Sequence, residues 1–126
     1  MAVEAPLTVA AAEAPVPSSV WRAILIRMPT AERVLAILRA HQSELRQAGL
    51  RSLSLFGSLA RGEAAANSDI DLAAQFEPAA RMDLFRLTAL ERHLTELLGA
   101  PVDLLPEPVE KRPLQAQIDR ERRRAF

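Results

Sequence analysis

Residues 50–76, LRSLSLFGSLARGEAAANSDIDLAAQF, contain the pattern that decides the fold: two strands joined by a glycine-serine turn. In Leu50–Phe56, leucines alternate with serines, which predicts a strand with one apolar face. Gly57 and Ser58 end this strand, and a short alanine-rich helical turn follows. Residues 69–76 predict a second strand with an apolar face of Ile70, Leu72, Ala74 and Phe76. Because the connection is short, we expect the two strands to run antiparallel.

Helical patterns flank these strands. The first helix is expected between Thr30, a suitable N-cap, and Gly49, with an apolar stripe of Val34, Leu38, His41 and Leu45. Asp83 is expected to cap a second helix, whose stripe is Leu84, Leu87, Leu90, Leu94 and Leu97. Residues 102–105 predict a third strand, and residues 114–124 a last, strongly charged helix. The order predicts an α/β (α+β) fold with a small mixed β-sheet of three or more strands flanked by helices.

Bulk properties narrow the function classes. The 126 residues suit one domain, expected over residues 29–126 after a flexible extension of residues 1–28 rich in Ala and Pro. A chain without cysteine has no disulfide, thiolate zinc site or cysteine nucleophile. The net charge of zero gives no indication of direct nucleic-acid binding. The sequence shows neither a signal-peptide pattern nor a membrane span, so we expect a cytoplasmic protein without a membrane partner.

Three carboxylates form the first candidate site. Asp69 and Asp71 lie two positions apart in a strand, so both project to the same side and repel each other. Such pairs are also common on solvated strand faces, and this alternative is strong for the pair alone. Asp103 has the same polar placement in the third strand. If the second and third strands are parallel neighbours, the three carboxylates surround a site for two Mg²⁺ ions, which bind carboxylate oxygens.

The glycine-serine turn is the second candidate site. Gly57 lets the backbone approach a ligand, and Ser58 begins a helical turn whose free N–H groups attract phosphate. Arg61, one turn later, can reach a triphosphate or pair with a site carboxylate. Each feature alone also fits a plain turn and a surface arginine. Antiparallel strands would bring this turn to the Asp69–Asp71 pair.

The combined run of residues 57–63, GSLARGE, and residues 68–72, SDIDL, resembles the signature of the DNA polymerase beta-like nucleotidyltransferase superfamily. It is most similar to the minimal nucleotidyltransferase (MNT) branch, and the resemblance covers roughly residues 30–105. It implies a nucleotidyltransferase fold and nucleotide binding by Gly57, Ser58, Arg61 and Ser68. It further implies catalytic carboxylates that bind Mg²⁺: Asp69, Asp71 and, by order along the chain, Asp103.

Minimal members of this family are commonly antitoxins paired with an HEPN-domain ribonuclease toxin. The resemblance therefore implies transfer of a nucleoside monophosphate, AMP from ATP, to a hydroxyl of an HEPN toxin. A binding antitoxin that occludes its partner without turnover is an alternative, for which the apolar residues 20–28 and the arginine-rich residues 120–124 are candidate docking elements. A nucleotidyltransferase that acts on a small molecule or an RNA end is another. His41 and His93 are interpreted as a packed histidine and a solvent-exposed one, respectively.

Overall fold

The structure of the protein is a computed structural model that describes residues 30–63 and 69–126. The expected extension of residues 1–28, the apolar residues 20–28 and the candidate Ser68 lie outside these described residues. The helices are α1 (Ala31–Ala40), α2 (Gln42–Gln47), α3 (Leu84–Leu98) and α4 (Arg112–Glu121). The strands are β1 (Leu50–Phe56), β2 (Ile70–Phe76), β3 (Val102–Pro106) and β4 (Arg123–Arg124).

The predicted helix caps are confirmed. The Thr30 side chain accepts a hydrogen bond from the N–H of Arg33, and Asp83 accepts one from the N–H of Arg86. The first helix is interrupted at His41, which lies between α1 and α2 with non-helical dihedral angles. The chain therefore reaches Gly49 as two short helices rather than as the single helix that the sequence predicted.

The sheet has the strand order β3-β2-β1-β4. Strand β1 pairs with β2 antiparallel, as expected, and β2 pairs with β3 parallel through the crossover helix α3. Side chains of α3 also satisfy the outer edge of β3: Thr95 and Glu91 accept hydrogen bonds from the N–H groups of Val102 and Leu104. The parallel pairing matters for the site, because it fixes which residues of β2 and β3 lie side by side.

Helices cover both faces of the sheet. One face packs against α1, α2 and α3 in the main core, which includes the alternating residues Leu53, Leu55, Ile70, Leu72 and Leu104. The other face packs against α4 in a smaller core of Phe56, Ala73 and Ile118. Because β-strand side chains alternate, Asp71 and Asp103 lie on this second face. They are placed toward the end of the sheet where β2 and β3 begin.

Both faces of β1 are covered, since Ser52 and Ser54 are buried on the α4 side. Two sequence predictions were wrong in detail. Leu84 does not join the buried stripe of its helix, since it lies in the first turn and is 73% exposed. Residues 114–124 do not form one helix: α4 ends at Glu121, and residues 123–124 pair with β1 as a fourth strand.

Within residues 30–63 and 69–126, no helix is both long and apolar enough to cross a membrane.

Candidate active site

The structure places Asp71 beside Asp103. The two residues are direct partners in the parallel register of β2 and β3, and Asp103 is exposed while Asp71 is half-buried. Asp69 lies two positions before Asp71, just ahead of β2, and is exposed. The predicted neighbourhood of the three carboxylates is therefore present at one end of the sheet.

Negative charge accumulates around Asp71. Burial raises the pKa of Asp71 above its ordinary value, and the neighbouring carboxylates of Asp103 and Asp69 raise it further. Among the described residues, no arginine or lysine forms an ion pair with any of these three carboxylates. The cluster is thus a group of like charges without a direct counter-ion.

Gly57 lies against the Asp71 carboxylate. Phe56 pairs with Asp71 across β1 and β2, and Gly57 then turns the chain away with a φ of +82°. A Cβ atom at Gly57 would overlap Oδ2 of Asp71 and lie 3.1 Å from its Cγ. Glycine is required here both for the left-handed backbone and for the close approach of the two residues.

The turn after Gly57 carries backbone N–H groups toward the same end of the sheet. The N–H of Arg61 donates to the carbonyl oxygens of Gly57 and Ser58, which closes one helical turn. Within the described part of the chain, the N–H groups of Ser58, Leu59 and Ala60 donate no backbone hydrogen bond. Such first-turn donors are available for an anion.

A residue that sequence reasoning missed, Glu121, contacts this turn. Its Oε1 accepts a hydrogen bond of 2.9 Å from the N–H of Gly57, and its Oε2 lies 2.7 Å from Nη1 of Arg61. Arg61 also contacts Glu63 through its Nε, at 3.0 Å. These carboxylates of Glu63 and Glu121 raise the pKa of Arg61. Arg61 therefore pairs with carboxylates of the turn and of α4, and not with Asp69, Asp71 or Asp103.

Comparison with known proteins identifies the family of this chain. The model of the nucleotidyltransferase domain family matches residues 37–126. The chain belongs to this family. A protein adenylyltransferase MntA of Thermococcus cleftensis is 43% identical to it over 79 residues, which cover 62% of this chain and 78% of the relative. The protein is accordingly a nucleotidyltransferase.

Two solved structures share the nucleotidyltransferase fold with it. One, named as a candidate minimal nucleotidyltransferase, is 31% identical with a TM-score of 0.58 and covers 88% of this chain and 98% of that chain. Another, a toxin-antitoxin crystal structure with AMP-PNP, is 26% identical with a TM-score of 0.59, and covers 70% of this chain and 72% of that chain. The α/β fold class predicted from the sequence is confirmed.

The donor set of this nucleotidyltransferase suits magnesium. Asp71 and Asp103 are oxygen ligands held side by side, and their mutual repulsion would be relieved by a cation. In residues 30–63 and 69–126, no group of three or more potential ligands is already gathered closely enough to hold a metal ion by itself. Mg²⁺ is usually bound by one or two carboxylates together with substrate phosphates and water, so it does not require such a preformed group.

The two histidines lie away from this site. His41 and His93 both contact the carboxylate of Glu44, the first through Nδ1 at 3.0 Å. The His93 side chain is 42% exposed, so it keeps its contact with solvent while its Nε2 contacts Glu44 of α2. His41 is half-buried, which agrees with its interpretation as a packed residue.

Proposed function

We propose that the protein is a Mg²⁺-dependent nucleotidyltransferase that transfers AMP from ATP to a hydroxyl of a partner protein. We further propose that it acts as the antitoxin of an HEPN toxin. One observation carries the proposal: Asp71 and Asp103 lie in register next to the Gly57–Ser58 turn, and no described residue is their direct counter-ion. A like-charge cluster that destabilises the fold is expected where a cation and a phosphate must bind.

In the proposed reaction, the partner's hydroxyl oxygen attacks the α-phosphorus of ATP. The new bond joins that oxygen to phosphorus, the bond from phosphorus to the bridging oxygen of the β-phosphate breaks, and pyrophosphate leaves with the displaced electron pair. The hydroxyl proton is released to the medium. The acceptor supplies the nucleophile, so the chain itself needs no nucleophilic serine or cysteine.

The candidate residues of this chain have two proposed roles, which are metal binding and phosphate binding. Asp69, Asp71 and Asp103 are proposed to hold two Mg²⁺ ions, which would lower the pKa of the attacking hydroxyl and stabilise the leaving pyrophosphate. Gly57 and Ser58 are proposed to bind the phosphates, with the N–H groups of the turn as donors. Arg61 lies close enough to add positive charge near Asp71. Ser68, which precedes the carboxylates, stays a sequence-based candidate.

The acceptor is inferred from the relatives. The Thermococcus cleftensis relative is named a protein adenylyltransferase, and the structure with AMP-PNP is named a toxin-antitoxin. The coverage of the MntA relative, 78% of its length, means that most of that protein has a counterpart here. Together with the MNT signature in residues 57–72, this favours a protein acceptor over a small molecule or an RNA end.

The test is a mass measurement on the partner. The full chain is incubated with Mg²⁺, each labelled nucleoside triphosphate in turn and the purified product of the neighbouring gene, and intact masses are recorded. We expect the partner to gain one or more AMP units, and the gain to disappear with Asp69→Asn or Asp71→Asn. Glu110→Gln, which makes the same charge change at an exposed position on the loop before α4, serves as the matched control.

Two results would contradict the proposal. A partner that gains no mass but is inhibited in a tight complex, equally by wild type and Asp71→Asn, would indicate an occluding antitoxin. Transfer of a nucleotide to a small molecule or an RNA end, with the partner unmodified, would indicate a different acceptor class.

A further inference from the structure

The Glu121 side chain accepts a backbone hydrogen bond at the edge of the sheet, just before β4 begins. The N–H of Leu53 donates to the carbonyl of Phe126, in the segment that follows β4. Because N–H groups alternate sides along a strand, the N–H of Gly57, four residues later, points to the same side. Strand β4 begins only at Arg123 and therefore supplies no backbone acceptor here. Oε1 of Glu121 accepts this hydrogen bond instead, at 2.9 Å.

The second carboxylate oxygen of Glu121 holds Arg61. The distance from Oε2 to Nη1 of Arg61 is 2.7 Å, and the Glu121 side chain is only 16% exposed. The other partner of Arg61, Glu63, is 60% exposed and lies on the turn itself. Charge-assisted hydrogen bonds gain strength when they are shielded from water, so the Glu121 contact is the firmer of the two.

One side chain from α4 therefore connects two residues that are separately proposed to bind nucleotide. We propose that Glu121 is a positioning residue, which fixes the Gly57–Ser58 turn and the Arg61 guanidinium for the triphosphate. This inference rests on the function proposed above and deepens it. In this role Glu121 acts through Gly57 and Arg61, the two residues that its oxygens contact, and not directly on the reacting atoms.

Further contacts support a fixed carboxylate. Gln117, one turn earlier on α4, donates to Oε1 of Glu121 at 3.2 Å. Burial raises the pKa of Glu121, but the hydrogen bonds from Arg61, the Gly57 N–H and Gln117 outweigh it and hold that pKa below its ordinary value. The group is thus an anion at neutral pH, held by three donors, and the turn is anchored to the C-terminal end of α4.

A different role of Glu121 would change the nucleotide affinity of the variants in the opposite direction. A carboxylate that simply occupied the place of a phosphate would compete with the nucleotide, and its removal would tighten nucleotide binding. A positioning residue pre-orders the turn, so its removal weakens binding because the ordering must then be supplied by the nucleotide.

The test measures the Kd of AMP-PNP in the presence of Mg²⁺ for the full chain and for graded variants. Glu121→Ala loses both contacts, and we expect a Kd about tenfold higher, the loss expected for a charge-assisted hydrogen bond. Glu121→Gln keeps an oxygen for the Gly57 N–H, and we expect partial rescue, with a Kd about threefold above wild type. Glu110→Gln is the charge control and is expected to bind like wild type.

Glu63→Ala tests how much the positioning of Arg61 contributes when the Gly57 contact is unchanged. It removes the exposed partner of Arg61 but leaves the Gly57 contact intact, so its effect is expected to be no larger than that of Glu121→Gln. The Tm of each variant is recorded, and binding is measured well below the lowest Tm. Because every variant is folded under these conditions, a lower Tm alone would not change the Kd.

The outcomes separate this inference from the proposed function. If wild type binds AMP-PNP and both Glu121 variants bind it equally well or more tightly, the positioning role is overturned while the proposed function stands. If wild type itself does not bind AMP-PNP with Mg²⁺, the proposed function fails and the positioning role fails with it.

Discussion

Two carboxylate clusters lie on the α4 face of the sheet, and they differ in how their charge is balanced. Glu107 follows β3 and has a side chain only 4% exposed, but Nη1 of Arg122 contacts it at 2.9 Å. Hydrogen bonds from Arg122 hold the pKa of Glu107 below its ordinary value despite burial. Asp71 is half-buried and has no such partner among residues 30–63 and 69–126, and its pKa is raised by burial and by Asp103 and Asp69.

The difference in charge balance separates a structural cluster from a candidate ligand-binding cluster. The Glu107–Arg122 pair is internally satisfied, with Gln115 donating to Glu107 and Arg122 donating to Ser54, so it contributes to the fold without needing a ligand. The Asp71–Asp103 pair is unfavourable in the unliganded fold, so its stabilisation must come from what binds there. An unbalanced cluster with a perturbed pKa is the kind that is found at functional sites.

The largest expected effect is the loss of activity in Asp71→Asn. Removing one carboxylate should reduce AMP transfer by at least about a thousandfold, since metal stabilisation of transition-state charge contributes several kcal/mol. The Tm should stay the same or rise, because the repulsion from Asp103 and Asp69 is relieved. If Asp71→Asn keeps its activity, the Asp71–Asp103 cluster is not the functional one. If Asp71→Asn loses stability, this cluster contributes to the fold as the Glu107–Arg122 pair does.

Gly57→Ala is expected to have the next largest effect. A Cβ at this position overlaps the Asp71 carboxylate, so that carboxylate must move, and a displacement of about 1 Å can cost about a hundredfold in rate. Gly62→Ala is the matched control, since it has the same φ of +82° but nothing within 4 Å of its added Cβ.

Both alanine variants should lose about 1–2 kcal/mol of stability from left-handed backbone strain. Only Gly57→Ala should in addition displace Asp71. Measured rates and free energies of unfolding for the two variants give this comparison, and an equal loss of activity in both would show that the displacement of Asp71 is not the cause.

Arg122→Met tests the balanced cluster. It leaves the Glu107 carboxylate buried without its main partner, and we expect a loss of about 3 kcal/mol in the free energy of unfolding at neutral pH. Chemical denaturation measures this value directly. A loss below about 0.5 kcal/mol would place the pair among exposed ion pairs of little consequence.

The Glu107–Arg122 pair also predicts that the free energy of unfolding depends on pH, and this is the smallest of the expected effects. Because the pKa of Glu107 is lowered in the folded state, its contribution to stability is present above the unfolded value of 4.5 and is lost as the pH falls through the folded pKa. The difference in unfolding free energy between wild type and Arg122→Met should therefore shrink on acidification below pH 4.5. Denaturation series at several acidic pH values check this, and a constant difference would mean that Glu107 is not the group stabilised by Arg122.

Much of the site follows from local sequence patterns. The alternation of Asp69, Ile70 and Asp71 predicts which face each side chain takes, and the segment between β2 and β3 is long enough for the crossover that parallel neighbours require. On the condition of parallel pairing, the sequence placed Asp103 beside Asp69 or Asp71, and the register of the strands selects Asp71. The predicted roles of Gly57, Ser58, Arg61, Asp69, Asp71 and Asp103 stay predictions until they are tested.

The C-terminal part could not be predicted in the same way. Residues 119–124 are all charged, which favours a solvated helix end, whereas Arg123 and Arg124 form a strand through main-chain hydrogen bonds that do not depend on side-chain type. Glu121 was missed for the same reason: a charged residue in a charged run shows no periodicity. The signal that points to Glu121 is the Gly57 N–H, which lies at the sheet edge before β4 begins, and it can be interpreted only when the position of β4 is known.

The most direct test of the central claim is a thermal shift on the unbalanced cluster. The Tm of wild type is measured alone, with Mg²⁺, and with Mg²⁺ and AMP-PNP, beside Asp71→Asn. Since a ligand that binds only the folded state stabilises it, we expect Mg²⁺ with AMP-PNP to raise the Tm of wild type, and the rise to be largely lost in Asp71→Asn. An equal rise in both proteins, or no rise in wild type, would contradict the claim that the Asp71–Asp103 pair holds the metal and nucleotide.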